Sequence, residues 1–282
     1  MSFELTEKAG AGRWIEPSSS AGNAMQRLFC IPYAGGGASV FRGWQARLAA
    51  TVDVRPLHPP GRGRRFRDAL LYRVDLIADE VTEAIAPLLD RPYTLFGHSM
   101  GASVAFEVAW RIQARRLREP RCLIVSGRGA PHLPTKGRPI HDLPDDQFLD
   151  EVIRMNGTPP EILAHPEVIT LLLPILRADF KAVETYRAKP HPPLNCRIVA
   201  LGGSGEPGSA EAVESWRTYT TGGFRGEILP GDHFFIHGNA EQLFSVLSEE
   251  LTDALRCAAT PLATPLATPV HQPFTDSCDV RK

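Results

Sequence analysis

One pentapeptide, Gly97-His98-Ser99-Met100-Gly101, constrains the fold of this chain more than any other stretch. An apolar run, residues 93–96, precedes it, and a helix-like stretch, residues 102–116, follows. Strand, G-x-S-x-G, helix describes a turn so tight that the serine takes strained backbone angles and its hydroxyl stands clear of the sheet. Side chains two positions away on either side would clash there, and both positions are glycine. The pattern predicts that Ser99 is a nucleophile at the end of a strand in an α/β sheet. The bland alternative is a glycine-rich strand-to-helix turn with no chemistry.

Apolar runs suited to strands occupy residues 27–32, 52–57, 93–96, 122–126, 196–201 and 226–229. Helical patterns lie between them, at residues 40–50, 74–89, 102–116, 210–219 and 242–255. Strands alternating with helices imply a mostly parallel central sheet covered by helices on both faces. The gap between the fourth and fifth strands is too long for one crossover and carries two helical segments of its own, residues 145–156 and 167–186. An insertion of that size after a central strand is expected to form a helical lid, at about residues 130–193, over a site at the strands' C-terminal ends. Residues 1–26 read as a loose leader and residues 27–256 as one domain. Residues 257–282, with their short threonine-proline repeat, read as a disordered tail.

Composition excludes several classes. With 31 basic and 32 acidic residues the net charge is -1, which favours neither nucleic acid nor a membrane surface. The longest apolar stretch, residues 168–176, is too short to span a bilayer. The N-terminus lacks a cationic segment followed by an apolar core, so no secretory signal is expected. The five cysteines have no paired spacing, and Cys30, Cys122 and Cys196 fall in strand candidates, where they read as small buried apolar residues. The expectation is a soluble, reduced, cytoplasmic protein with no metal and no bound cofactor, and a monomer by default.

A serine nucleophile needs a base, and the base needs an acid to orient it. On such a sheet the order along the chain is serine, acid, histidine, with the histidine just past the last strand. His233, in Leu229-Pro230-Gly231-Asp232-His233-Phe234-Phe235, fits that place. His237 is four residues on, but the glutamate of a paired-histidine zinc motif is absent. His98 is expected to pack within the turn and point away from the base. For the acid, Glu206, Glu211 and Glu214 follow the fifth strand; Glu206 is earliest and is stiffened by Pro207, so it is preferred. Asp232 adjoins His233 and is poorly placed to reach its far nitrogen. The same loop, Gly203-Ser204-Gly205-Glu206-Pro207-Gly208, spells a dinucleotide-binding G-x-G-x-x-G, but the βαβ continuation such a site needs is missing. Gly35-Gly36-Gly37 has no G-K-[ST] after it and reads instead as an oxyanion loop, where the N–H groups of Met100 and of Ala34 or Gly35 converge on a developing negative oxygen. Its bland alternative is a plain turn.

Taken together, several segments resemble the stand-alone type II thioesterases that accompany polyketide and nonribosomal peptide synthases. They are Phe29-Cys30-Ile31-Pro32-Tyr33-Ala34-Gly35-Gly36-Gly37, Pro60-Gly61-Arg62-Gly63, Phe96 to Gly101, Val125-Ser126-Gly127-Arg128, Leu176-Arg177-Ala178-Asp179-Phe180 with Glu184-Thr185-Tyr186, and Leu229 to Phe235. The resemblance implies an α/β-hydrolase fold. It also implies hydrolysis of acyl thioesters from the phosphopantetheine arm of an acyl or peptidyl carrier protein, which clears stalled or misprimed chains. The segment from Leu176 to Tyr186 would belong to the lid. One departure stands out. The family usually carries G-G-D-x-D-P after the fifth strand, its second aspartate being the acid, and here Ser204 and Glu206 take the two aspartate positions. Glutamate can serve as the acid, but its extra methylene must be absorbed by the loop. Thioesterase domains built into synthases often place the acid one strand earlier, near Ser126 here, which is no acid. Two rivals remain: an oxygen-ester hydrolase or acyltransferase using the same acyl-enzyme, and a carrier-binding module with little catalysis. Two arginine-rich runs, residues 62–67 and 111–121, are candidates for steering an acidic carrier, or are simply solvated faces.

Overall fold

The computed structural model describes residues 13–16, 24–134, 137–155, 165–238 and 240–259. Six strands form one sheet: β1 (Gln26–Ile31), β2 (Val52–Pro56), β3 (Tyr93–His98), β4 (Cys122–Ser126), β5 (Arg197–Gly203) and β6 (Phe224–Leu229). Their order is β2-β1-β3-β4-β5-β6, and every pairing is parallel. The helices are α1 (Trp44–Arg47), α2 (Val74–Ile85), α3 (Met100–Ala114), α4 (Asp145–Arg154), α5 (Pro166–Glu184), α6 (Ser209–Glu214), α7 (Phe235–Gly238) and α8 (Ala240–Ala259).

The inner strands are largely apolar because both faces are covered, whereas the edge strands β2 and β6 carry Asp53, Arg55, Arg225 and Glu227. Alternate residues feed two separate cores. Phe29, Leu95, Leu123, Val125 and Ile198 pack on one side, against residues of α2 and α3. Leu28, Phe96, Ile124, Val199 and Leu201 pack on the other, against Trp44 and the α8 residues Leu243 and Leu247. Cys30, Cys122 and Cys196 are buried free thiols. Burial pushes the Cys30 and Cys122 thiols up, and Cys196 to about 12, so all three stay protonated and act as packing groups.

Two expectations need correction. The helix expected at residues 40–50 is broken: a 3-10 turn, Ala38–Phe41, and α1 are separated by Gly43 at φ +82. An added Cβ at Gly43 would touch nothing within 4 Å, so the break comes from backbone conformation, not crowding. The leader is not loose throughout. Trp14 and Ile15 are buried in the first core, Ile15 bridges to Leu57, and the Arg65 guanidinium lies 4.3 Å over the Trp14 ring. The remaining leader residues 1–12 and 17–23 lie outside the described residues, as does the expected tail from residue 260 on, its first three residues, 257–259, being the end of α8. Among the described residues no helix is long and apolar enough to cross a membrane.

The chain runs from β1 outward to β2 and then crosses back to β3 on the other side of β1. Strand order reverses at β1 and β3, and the crevice at their C-terminal ends is where open parallel sheets place their ligands. Ile31 of β1 is in register with Gly97 of β3, so the loops leaving these two strands meet. Above them the insertion between β4 and β5 builds α4 and α5 around a small core of its own, with Phe148 and Val152 packed against Leu173, Leu176 and Phe180.

Candidate active site

Ser99 joins β3 to α3 with φ 54 and ψ -114, a backbone region closed to most L residues. Such a conformation costs on the order of 1–3 kcal/mol and persists only where its surroundings fix it. The Ser99 N–H donates to the Ser126 carbonyl at 2.8 Å, and the Ser99 carbonyl accepts the Ala102 N–H at 3.0 Å. A Cβ on Gly97 would lie 2.0 Å from the Gly101 carbonyl oxygen, and one on Gly101 would lie 2.2 Å from that of Ile31. Both glycines are therefore required by backbone contact, and the second brings the start of α3 against the loop that leaves β1. Met100 opens α3, so its N–H belongs to the first turn, whose N–H groups have no intrahelical acceptor.

Glu206 follows β5 and His233 follows β6, and the structure brings them together. His233 Nδ1 lies 3.2 Å from Glu206 Oε2, and each side chain is 27% exposed. The two loops are joined by backbone: the Ser204 N–H donates to the Leu229 carbonyl and the Gly205 N–H to the Gly231 carbonyl, each at 2.8 Å. Gly203 lets them approach, since a Cβ there would lie 2.3 Å from the Asp232 carbonyl oxygen. Gly203 and Gly205 of the apparent dinucleotide fingerprint thus serve to seat one loop on the other, while Gly208 stands before α6 at φ +72. Asp232 is spent locally, its Oδ1 accepting the Phe234 N–H at 2.8 Å. Glu214 pairs with Arg217, and Glu211 is exposed on α6.

His98 departs from its expected orientation. It is fully buried, as a packed turn residue should be, but it lies against the base: its ring centre is 5.2 Å from that of His233. Its Nδ1 is 2.9 Å from Ser126 Oγ. Burial first, and then the neighbouring His233 and His237, hold its pKa well below the ordinary histidine value. Tyr33, on the loop after β1, completes this aromatic group. Its hydroxyl is 3.0 Å from His237 Nε2, and its ring packs edge-on to His98 and Phe234.

On the other side of Ala34, Gly35 takes φ +78 and donates its N–H to Asp179 Oδ2 at 2.7 Å. Of the two amides proposed from sequence beside Met100, that of Gly35 is therefore occupied, and Ala34 is the one left. Asp179 belongs to α5 and is buried, and Arg62 Nη2 lies 2.8 Å from the same carboxylate oxygen. Burial pushes the Asp179 carboxyl up, opposed by Arg62 and by the Gly35 N–H. A cavity lined by Pro32, Leu70, Met100, Arg62 and Asp179 has a volume of about 10 Å³, room for about one water. Sequence reasoning passed over Tyr33 and Asp179; both lie within the motifs that carried the resemblance, but their partners are distant in sequence.

A thioesterase-domain family model matches residues 26–251, which is most of the chain. The chain belongs to the thioesterase family. It is 40% identical over 247 residues to linear gramicidin dehydrogenase LgrE of Brevibacillus parabrevis, covering 86% of this chain and 94% of that one. Among solved structures, RedJ, a thioesterase of the prodiginine pathway in Streptomyces coelicolor, superimposes with a TM-score of 0.77 at 41% identity, covering 83% of this chain and 93% of RedJ. YbtT, a type II thioesterase of the yersiniabactin pathway, gives a TM-score of 0.75 at 33% identity, covering 85% and 98%. This thioesterase is thus an α/β-hydrolase-fold thioester hydrolase related to the type II enzymes of polyketide and nonribosomal peptide biosynthesis.

The arginine runs of the thioesterase are less available than the sequence suggests. Arg62 is held by Asp179, and the buried Arg65 pairs with Asp68 and Glu80. In the second run Arg111 pairs with Asp79 and Glu107, and Arg115 with Glu83. Arg64 and Arg67 remain exposed, next to Phe66, which is 53% exposed.

Proposed function

We propose that this thioesterase releases acyl groups from the phosphopantetheine arm of an acyl or peptidyl carrier protein by a Ser99, His233, Glu206 triad, and so edits stalled or misprimed chains in the cytoplasm. The observation that carries the reading is the Glu206–His233 hydrogen bond, formed between two loops at the same end of the sheet as the strained Ser99. With Glu206 at Nδ1, the Nε2 of His233 is the nitrogen left for the serine.

The chemistry then runs in two halves. As Ser99 Oγ bonds to the thioester carbonyl carbon, its proton passes to His233. The oxyanion accepts the N–H groups of Ala34 and Met100. The carbon–sulfur bond breaks, and the pantetheine sulfur takes the proton from His233. Water next adds to the acyl-enzyme carbonyl and gives a proton to the same histidine, and the acid leaves as Ser99 regains its hydrogen. The sum is thioester and water to acid and thiol, so the reaction needs no cofactor.

The test is acyl release from a holo carrier protein, followed by intact-protein mass spectrometry, with wild type and Ser99→Ala. Release by wild type alone supports the reading. An acyl-carrier left intact by wild type, in a stable complex, replaces it with a carrier-binding module. A faster rate on a matched oxygen ester than on the thioester replaces it with an ester hydrolase.

A further inference from the structure

The segment Tyr33-Ala34-Gly35 is anchored on both sides of its central residue by side chains from distant elements. On one side the Tyr33 hydroxyl meets His237 Nε2 at 3.0 Å. On the other the Gly35 N–H donates to Asp179 Oδ2 at 2.7 Å. Asp179 lies on α5, the long helix of the insertion between β4 and β5. Leu176, one turn earlier on the same helix, stands where a Cβ on Gly35 would be, 2.5 Å from it. The insertion therefore reaches the oxyanion loop at Gly35, through a hydrogen bond from its N–H and through Leu176, which fills the space beside its Cα.

Stability does not account for the Arg62–Asp179 pair. Buried ion pairs recover their desolvation cost only when the remaining donors are satisfied. Among the described residues, Arg62 Nε and Nη1 are buried without a hydrogen-bond partner. What the pair does achieve is geometric. Arg62 and Gly35 share one oxygen of Asp179, so the guanidinium fixes the carboxylate that fixes the loop.

We infer that Asp179 is a positioning residue for catalysis: by holding the Gly35 N–H it aims the neighbouring Ala34 N–H at the oxyanion, so that the seating of helix α5 determines whether the oxyanion hole is formed. This rests on the role proposed above for the Ala34 amide. An oxyanion donor gains its effect from being aimed before the charge develops. Substrate binding energy that seats α5 would thus be expressed in turnover as well as in affinity.

The test compares two double variants that both remove the buried charges. Asp179→Asn with Arg62→Gln keeps an oxygen able to accept the Gly35 N–H. Asp179→Leu with Arg62→Met replaces the pair by apolar groups and removes the acceptor, and such replacements are tolerated by folds. On a small soluble thioester, the acceptor-free pair is expected to lose about 10²-fold in kcat, the loss associated with one oxyanion donor, with KM within about threefold of wild type. The acceptor-keeping pair is expected to retain kcat within about tenfold of wild type. Equal kcat in the two pairs overturns the inference, as does a loss confined to KM. Amide exchange of Gly35 provides a readout independent of chemistry: protection in wild type and in the Asn/Gln pair, lost in the Leu/Met pair, supports the anchoring, and unchanged protection overturns it. If wild type hydrolyses no thioester, the functional reading falls, and the exchange data still decide whether Asp179 holds the loop.

Discussion

His233 Nδ1 and Glu206 Oε2 are 3.2 Å apart, so the carboxylate that meets this histidine is a glutamate's, one methylene longer than an aspartate's. The longer side chain is accommodated on a short loop, tied back by the Glu206 N–H to the Gly203 carbonyl at 3.2 Å and the Ser209 N–H to the Glu206 carbonyl at 3.1 Å. In the triad proposed above the carboxylate would set the histidine tautomer, so Glu206→Gln is expected to lower kcat by on the order of 10⁴ with the fold intact. Glu206→Asp shortens the reach to His233 and should give an intermediate rate. Steady-state kinetics on a small thioester, with circular dichroism as the folding control, check both. A Glu206→Gln rate within a few-fold of wild type removes Glu206 from the triad.

Gly203 allows the acid loop to sit on the base loop. A Cβ at this position would be 2.3 Å from the Asp232 carbonyl oxygen, and that neighbour is backbone, which cannot rotate away. Gly203→Ala should force the two loops apart and lengthen the Glu206–His233 bond. The expected outcome is a kcat loss of at least tenfold, together with a destabilisation of about 1–3 kcal/mol of the kind overpacking produces. Gly43→Ala is the contrasting control. It meets nothing within 4 Å and lies at φ +82, so it should cost about 1 kcal/mol through backbone strain alone and leave kcat unchanged. Thermal denaturation and kinetics on the same preparations separate the two.

Most of the sheet was legible because strands buried on both faces announce themselves as short apolar runs, and all six expected strands form. The elbow was legible because its glycines are demanded by local backbone contacts. Helices were less so where a single glycine decides: Gly43 splits a segment whose apolar spacing fits one continuous helix. The glycines after β5 were misleading for a physical reason, since close backbone approach to a phosphate and close approach to another loop make the same demand. Contacts between elements far apart in the chain were not legible. Nothing in the pattern of residues 176–186 says that Asp179 will meet the amide of Gly35, 144 positions away. Nor does the pentapeptide say that His98 will pack on His233.

The buried histidine makes a prediction about pH. His98 is held neutral by burial, its folded pKa lying well below the unfolded value of about 6.5. Between those two values the unfolded chain binds a proton that the folded chain does not. Stability from this group is therefore complete above about pH 6.5 and is lost as the pH falls toward the folded pKa. The slope due to His98 is at most about 1.4 kcal/mol per pH unit. His237, lowered by partial burial, adds in the same direction. Wild type should lose melting temperature between pH 7 and pH 5, and His98→Gln should lose less over the same interval. Parallel curves for the two proteins would mean that His98 does not carry the acid sensitivity.

The arginine-rich loop after β2 separates a structural role from a docking role within a few residues. Arg65 is buried over Trp14 and paired with Asp68 and Glu80, so Arg65→Ala should destabilise by about 1–3 kcal/mol and should not distinguish carrier-bound from small substrates. Arg64 and Arg67 face solvent, and the exposed Phe66 lies between them. Arg64 is only loosely engaged, 3.6 Å from Glu16. An acidic carrier approaching the crevice would meet these charges, and rim charges act chiefly on encounter. Arg64→Glu with Arg67→Glu is expected to raise KM for a carrier-bound thioester about tenfold at low ionic strength, with the difference shrinking as salt rises toward 0.5 M. The small thioester should be hydrolysed with unchanged KM and kcat. Equal effects on the two substrates, or no dependence on salt, would place the carrier on another face and leave this loop with Trp14 and the core as its only business.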